Sequence, residues 1–320
     1  MCYSAQIVAD HRRFERVYGA QIDIKQFVQL FWERQGGNRA LKVPKAMEAA
    51  FAAPRNADEL RIHDAIDAFA AQQASTLQQE LFAQTRRLAD AQRKLQVKAT
   101  KAAAESQRIA TSKIAAIRTR LAELQRAEPK PDDARIFPGM YAPVMVWEHG
   151  RRVVKPMRYQ CRPAGKPADY DVRFPGTYNA RRDSLARFWK GEFGHRHGIV
   201  VVNAFYENVA RHAAEGRALA PGETEQNVVL EFRPEPPQAM LVACLWSHWT
   251  GPGEPDLLSF AAITDAPPPE VAAAGHDRCI IAIRPDNLDA WLNPDPADLA
   301  TQYAILEDRE RFYFDHRMAA

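Results

Sequence analysis

The 320-residue sequence has no apolar run approaching the ~18–20 residues that a bilayer-crossing helix requires, which excludes a transmembrane helix. Its opening, Met1-Cys2-Tyr3-Ser4-Ala5, reaches Asp10, His11, Arg12 and Arg13 too soon to hold the apolar core of a secretory signal. A cytoplasmic protein with no membrane partner is expected. Only four cysteines occur (Cys2, Cys161, Cys244 and Cys279), none in C-x-x-C spacing, so neither a zinc knuckle nor a disulfide framework is suggested. The glycine signatures of the P-loop, the dinucleotide fold and the serine-hydrolase elbow are missing, and no cofactor is expected. His195-Arg196-His197 has the form of a metal pair but lacks a third ligand at fixed spacing, so no metal is expected.

The most informative absence is regional. The chain holds 22 prolines and 15 glycines, yet none lies between Pro54 and Pro129. With both helix breakers missing, that stretch reads as continuous helix. Asn56 and Glu59 are spaced as an N-cap and its capping partner. Leu77, Leu81, Leu88, Ala91 and Leu95, then Ile114, Ile117, Leu121 and Leu124, follow heptad seams, and between them the seam weakens to Ala and Thr. A single helix this long would span roughly 110 Å at 1.5 Å per residue. Both ends must rejoin one body, which predicts an antiparallel hairpin with its tip near residues 97–107. Residues 81–120 carry ten Lys/Arg against Asp90 and Glu105, a net +8, while the rest of the chain is about −5. Such a charge run is either a solvated helix face or a contact for phosphate. The seam also permits self-association through residues 57–127.

The flanks differ. Residues 24–32 pattern as an amphipathic helix and 286–292 as a late short helix. Tyr141–Trp147, Ile199–Val202, Val228–Phe232, Met240–Trp246, Leu258–Ile263 and Cys279–Ile283 are short, apolar and β-branched, as strands are. The expected fold is α+β: a β-rich body of residues 1–54 and 131–320, interrupted by a helical coiled-coil hairpin at 55–130.

Four places carry candidate chemistry. Cys2, once Met1 is removed, would hold a thiol and an α-amine on adjacent carbons, with ordinary pKa values of about 8.5 and about 8. That pair can trap an aldehyde as a thiazolidine, although a cysteine at position 2 often has no role. Tyr178-Asn179-Ala180-Arg181-Arg182 follows a Pro-Gly turn and supplies an amide and two cations, or simply a polar loop. Phe205-Tyr206-Glu207 ends a buried strand with a carboxylate beside aromatic rings, suited to proton transfer or merely facing water. Gly275-His276-Asp277-Arg278 offers an imidazole as acid or base, or a structural histidine.

In this order the pieces resemble the SOS response-associated peptidase (SRAP) family, over the extreme N-terminus and roughly residues 136–292. The matching residues are Cys2, Asn179-Ala180-Arg181, Phe205-Tyr206-Glu207 and His276-Asp277-Arg278. The resemblance implies a β-rich body with a narrow cleft for single-stranded DNA containing abasic sites. It implies Cys2 as nucleophile, first releasing Met1 and then bonding the abasic sugar. Asn179 would orient Cys2 and the sugar, Glu207 would move a proton at the Cys2 amine, and His276 would open the sugar ring and reverse the crosslink. Arg181 would contact a phosphate, with Thr264 a weaker contact. The protein would then associate with the nucleoid when bound to DNA. Two departures stand out. Tyr3-Ser4 replaces the family's usual Gly-Arg, removing a phosphate contact for which Arg182 or the basic arm could compensate, and Asn208 stands where Trp is usual. Phe188 and Trp189 are stand-ins for a base-stacking wedge. A thiol peptidase acting on other proteins, or a non-catalytic coiled-coil module, are the alternative functions.

Overall fold

Backbone hydrogen bonds organise residues 3–37 and 41–319, the part of the chain that this computed structural model describes, around one twelve-stranded sheet. Strand β1 (Ser4–Ile7) leads into α1 (His11–Tyr18), the two-residue β2 (Gln21–Ile22), α2 (Ile24–Gln35) and α3 (Lys45–Ala49). Two long helices follow, α4 (Ala57–Val97) and α5 (Lys101–Gln125). The chain then returns through β3 (Arg135–Ile136), β4 (Tyr141–Glu148), β5 (Arg151–Tyr159), α6 (Tyr170–Arg173) and β6 (Asn179–Arg181). Next come β7 (His197–Ala210), α7 (Arg211–Ala214), β8 (Asn227–Glu235), β9 (Met240–Gly251) and β10 (Glu254–Asp265). It finishes with α8 (Pro269–Ala273), β11 (Cys279–Ile280), α9 (Leu288–Leu292), α10 (Leu299–Glu307) and β12 (Tyr313–Met318).

The pairings β4–β5, β5–β10, β10–β9, β9–β7 and β7–β4 return to their starting strand, so part of the sheet curls into a ring. Closure removes strand edges and lets inward residues fill the interior. Strand β7 is the shared spine. Its first half lies between β4 and β9, with Val200 opposite both Val144 and Val242. Its second half leaves the ring and lies between β1 and β8, with Ser4 opposite Tyr206 and Phe205 opposite Phe232. The run Gly198–Val202 is buried throughout, which explains why it is uniformly apolar rather than alternating. At Gly198 an added Cβ would meet Val144 Cγ1 at 3.0 Å and Cys244 Sγ at 3.1 Å, so glycine permits the close approach of β4 and β9.

The α+β class and the helical hairpin agree with the sequence reading. Asn56 caps α4 by accepting from the Glu59 N–H, and the Asn56 amide donates back to the Glu59 carboxylate. Thr100 caps α5 by accepting from the Ala103 N–H. The tip is therefore the three-residue turn 98–100. Leu77 and Ala91 of α4 are buried with Ala103, Ala110, Ile114 and Ile117 of α5. Each buried Leu or Ile contributes on the order of 1.5–3 kcal/mol, and the alanines let the helices approach closely.

Two strand expectations need correction, and two further strands were not expected. The strand at 199–202 continues to Ala210, so Glu207 lies well inside it rather than at its end. The run at 279–283 pairs as a strand only over Cys279–Ile280, and Ala282 and Ile283 make isolated bridges. Strands β5 and β12 had no clear sequence signal: β5 contains Pro156, and β12 is a mostly exposed strand whose polar side chains need no apolar pattern. Among the described residues, no helix is long and apolar enough to cross a membrane.

Candidate active site

Antiparallel pairing places the start of the chain beside the Phe205-Tyr206-Glu207 segment. Ser4 pairs with Tyr206, and the Tyr3 ring meets Tyr178, the neighbour of Asn179, at 6.1 Å, as well as Phe137 at 5.6 Å. Side chains alternate across a strand, so Tyr206 and Glu207 face opposite sides of β7. Glu207 is fully buried and lies 3.0 Å from His276 Nε2. His276 sits in the turn between α8 and β11, directly after Gly275, whose φ of +93° suits glycine. Its Nδ1 is 2.9 Å from the Arg278 carbonyl oxygen, an acceptor that fixes a proton on Nδ1. Burial lowers the His276 pKa, with the Arg278 carbonyl opposing, so the imidazole is neutral at pH 7.

Asn179 opens β6, which runs parallel to β10 with Asn179 opposite Ala262. Strand β11 pairs the same end of β10, at Thr264 and Asp265. One strand end thus carries both the amide-bearing and the histidine-bearing segments. Asn179 is buried, and neither atom of its amide has a hydrogen-bond partner among the described residues. An unsatisfied buried amide is costly unless something it recognises completes it.

The cationic candidates divide. Arg181 is exposed and held by both oxygens of Asp183. Arg182, partly exposed, pairs with Asp265 and Glu307, tying β6 to the end of β10 and to α10. Thr264, expected as a DNA contact, is buried between β6 and β11, and its hydroxyl has no hydrogen-bond partner among the described residues. Of the stacking candidates, Trp189 is buried and Phe188 is half exposed against it. His197 receives the Gly194 N–H on Nε2 (2.8 Å) and donates from Nδ1 to the Trp291 carbonyl (3.0 Å), so both nitrogens serve the fold.

Cys2, the expected nucleophile, lies outside the described residues. Cys161, Cys244 and Cys279 are buried, and burial pushes all three thiols up, leaving them inert at neutral pH.

One residue had escaped sequence reasoning. Arg135, on β3, donates from Nε to Ser4 Oγ at 3.1 Å and lies over the Tyr206 ring at 3.8 Å and the Phe137 ring at 5.0 Å. It has no carboxylate within ion-pair distance among the described residues. Across the same sheet face Glu231 gathers Arg233, Arg317 and the Tyr206 hydroxyl. Burial and the Glu231 charge push the Tyr206 pKa up to about 12, so it stays a neutral hydrogen-bond donor. No local motif marks Arg135, because Ser4 and Tyr206, which it bridges, are more than 60 residues away in the chain.

Fold and site together define an α+β protein with a histidine–carboxylate pair near its N-terminal strand. The family model for SOS response associated peptidase (SRAP) matches residues 85–315, and the chain belongs to that family. The match begins within α4 and reaches into β12. None of the curated proteins matches the chain. Among solved structures, a protein from Bordetella bronchiseptica is similar at 15% identity and a TM-score of 0.46, covering 61% of this chain and 90% of its own. A protein from Bacteroides thetaiotaomicron is similar at 13% identity and 0.44, covering 58% and 78%. A phage-related protein from Bordetella bronchiseptica is similar at 20% identity and 0.42, covering 58% and 81%.

Proposed function

We propose that this chain captures abasic sites in single-stranded DNA through a covalent thiazolidine at Cys2, after releasing Met1 from itself. The observation that carries the reading is the position of the first strand. Tyr3 touches the neighbour of Asn179, Ser4 pairs with the neighbour of Glu207, and Glu207 meets His276. Cys2 directly precedes Tyr3 in the sequence.

Hydrolysis of the Met1–Cys2 bond consumes one water and frees the α-amine. His276, kept neutral by burial, takes the proton of the sugar's hemiacetal hydroxyl and returns it to the ring oxygen as the carbon–oxygen bond of the ring breaks, leaving an aldehyde and a free hydroxyl. The Cys2 amine adds to that carbonyl carbon and water leaves, giving an imine, with Glu207 moving the amine proton. The thiolate then adds to the imine carbon and nitrogen takes a proton, closing the five-membered ring. Asn179 holds the opened sugar through its unpartnered amide. Arg181 exchanges Asp183 for a backbone phosphate. Acting on chromosomal DNA, such a protein works at the nucleoid.

Intact-mass measurement after mixing with abasic single-stranded DNA tests the reading. The expected adduct equals the protein without Met1 plus the DNA minus one water, and it is lost in Cys2→Ala. No adduct, or an adduct that persists in Cys2→Ala, overturns it. Turnover of peptide substrates without an adduct would make the chain a thiol peptidase instead.

A further inference from the structure

The hairpin of α4 and α5 has no part in the chemistry just described, yet its surface is organised. Its root is fixed to the body: Lys45 Nζ donates to the carbonyls of Glu123 (2.8 Å) and Arg126 (2.7 Å), and Arg126 pairs with Asp133. From Asp133 the chain enters β3, which pairs with β1 at Ala5 and Gln6. The arm therefore springs from the edge that also holds Ser4 and Arg135. From Leu77 to Val97 it reaches roughly 30 Å at 1.5 Å per residue.

Near its tip a hollow of about 620 Å³ lies between the helices, floored by Ala91 and Ala103 and rimmed by Arg86, Arg87 and Lys94. Arg87 is steered there by its bond to Ser106 Oγ (3.0 Å). A second hollow of about 630 Å³ is rimmed by Lys94 and Lys98. Arg93 and Arg108 are neutralised by Asp90 and Glu105, whereas Arg86, Lys94, Lys98 and Lys101 have no carboxylate partner among the described residues.

We propose that this arm tip grips the phosphodiester backbone of the nucleic acid flanking the captured lesion; this rests on the abasic-site reading and gives the arm its partner. A linear track of uncompensated cations suits a linear polyanion. The apolar seam is consumed by the α4–α5 pairing, leaving no broad apolar face for a membrane. A second copy of the arm would bring +8 against +8, which opposes arm-to-arm association.

The test uses undamaged oligonucleotides, so that no adduct chemistry enters and loss of crosslinking leaves this result independent. The full chain, the variant Arg86→Gln/Lys94→Gln/Lys98→Gln/Lys101→Gln, and a control with Lys25→Gln/Arg55→Gln/Lys190→Gln are compared. Probes are a short single strand, a long single strand and a short strand flanked by duplex. All substituted positions are exposed. On the long or duplex-flanked probe, the arm variant should lose at least about tenfold in affinity, and its log–log salt slope should fall by about three, at roughly 0.7–0.9 per cation. The short probe and the control should barely change, and whichever flank responds identifies single strand or duplex as the source of phosphate. Equal loss in arm variant and control, or unchanged affinity for both flanked probes, overturns the proposal. So does a dimer that dissociates in the arm variant while DNA affinity holds.

Discussion

His276 Nε2 stands 3.0 Å from a Glu207 oxygen, while Nδ1 is committed to the Arg278 carbonyl. Nε2 is thus the ring nitrogen that faces the fully buried Glu207 side chain. Because burial holds the His276 pKa below 6.5, its capacity to accept a proton disappears as pH falls through that lowered value. The crosslinking rate should therefore fall on the acid side with a midpoint below 6.5. His276→Gln should slow it by about 10²-fold or more and abolish that limb. Glu207→Gln removes the charge that favours the imidazolium and should move the midpoint lower still. Single-turnover rates across pH check both, and a His276→Gln variant with wild-type rates would remove the histidine from the mechanism.

Gly275 sets the entry to that histidine. Its φ is +93°, and an added Cβ would lie 2.8 Å from Ala213 Cβ on α7. Gly275→Ala should cost about 1–3 kcal/mol through backbone strain and overpacking, and displace His276. Thermal melts should show the loss, and the crosslinking rate should fall more than destabilisation alone explains. A variant with unchanged melting and rate would show that the turn tolerates a side chain.

Arg135 stands over Ser4, where the family usually has arginine. Arg135→Gln should weaken binding to undamaged single-stranded DNA and lower the salt slope by about 0.7, with little change in melting temperature. Arg135→Lys keeps the charge but loses the planar stack on Tyr206, and should recover only part of the affinity. Titrations at three or more salt concentrations decide, and an unaltered slope in Arg135→Gln would confine this residue to packing.

His197 gives a stability prediction with a definite sign. Burial pushes its pKa down to about 3, against the opposing Trp291 carbonyl, and the unprotonated Nε2 receives the Gly194 N–H. The unfolded chain binds this proton near pH 6.5, and the folded chain does not until about 3. Its contribution to stability is thus full above 6.5 and lost as pH falls toward 3, at up to about 1.4 kcal/mol per pH unit. Denaturant unfolding between pH 7 and 4 should show this slope, and His197→Gln should flatten it. An equal slope in the variant would assign the acid sensitivity to other groups.

Gly198→Ala tests the ring. The new methyl meets β4 and β9 side chains at 3.0–3.1 Å, so a loss of about 1–3 kcal/mol is expected by denaturant melting. No loss would mean that Val144 and Cys244 give way without strain.

Much of this molecule is written locally. The missing prolines and glycines over 55–128, the Asn56 cap and the leucine and isoleucine seam are enough for two paired helices, because helix periodicity and capping act over three to four residues. The SRAP motifs were legible for the same reason, each being a short run of distinctive side chains. Strands β5 and β12 were hidden because charged and proline-bearing segments take their pairing from neighbours, not from an apolar pattern.

By itself the amino-acid order determined the helical arm, its charge, the apolar strands and the identities of Asn179, Glu207 and His276. Tertiary structure alone decided that β7 runs on past Val202, that Glu207 lies against His276, that Arg182 pairs with Asp265 and Glu307, that Thr264 is internal, and that Arg135 covers Ser4. The physical reason is range: helix seams and caps are satisfied within a few residues, whereas burial and pairing between distant strands depend on where the whole chain closes.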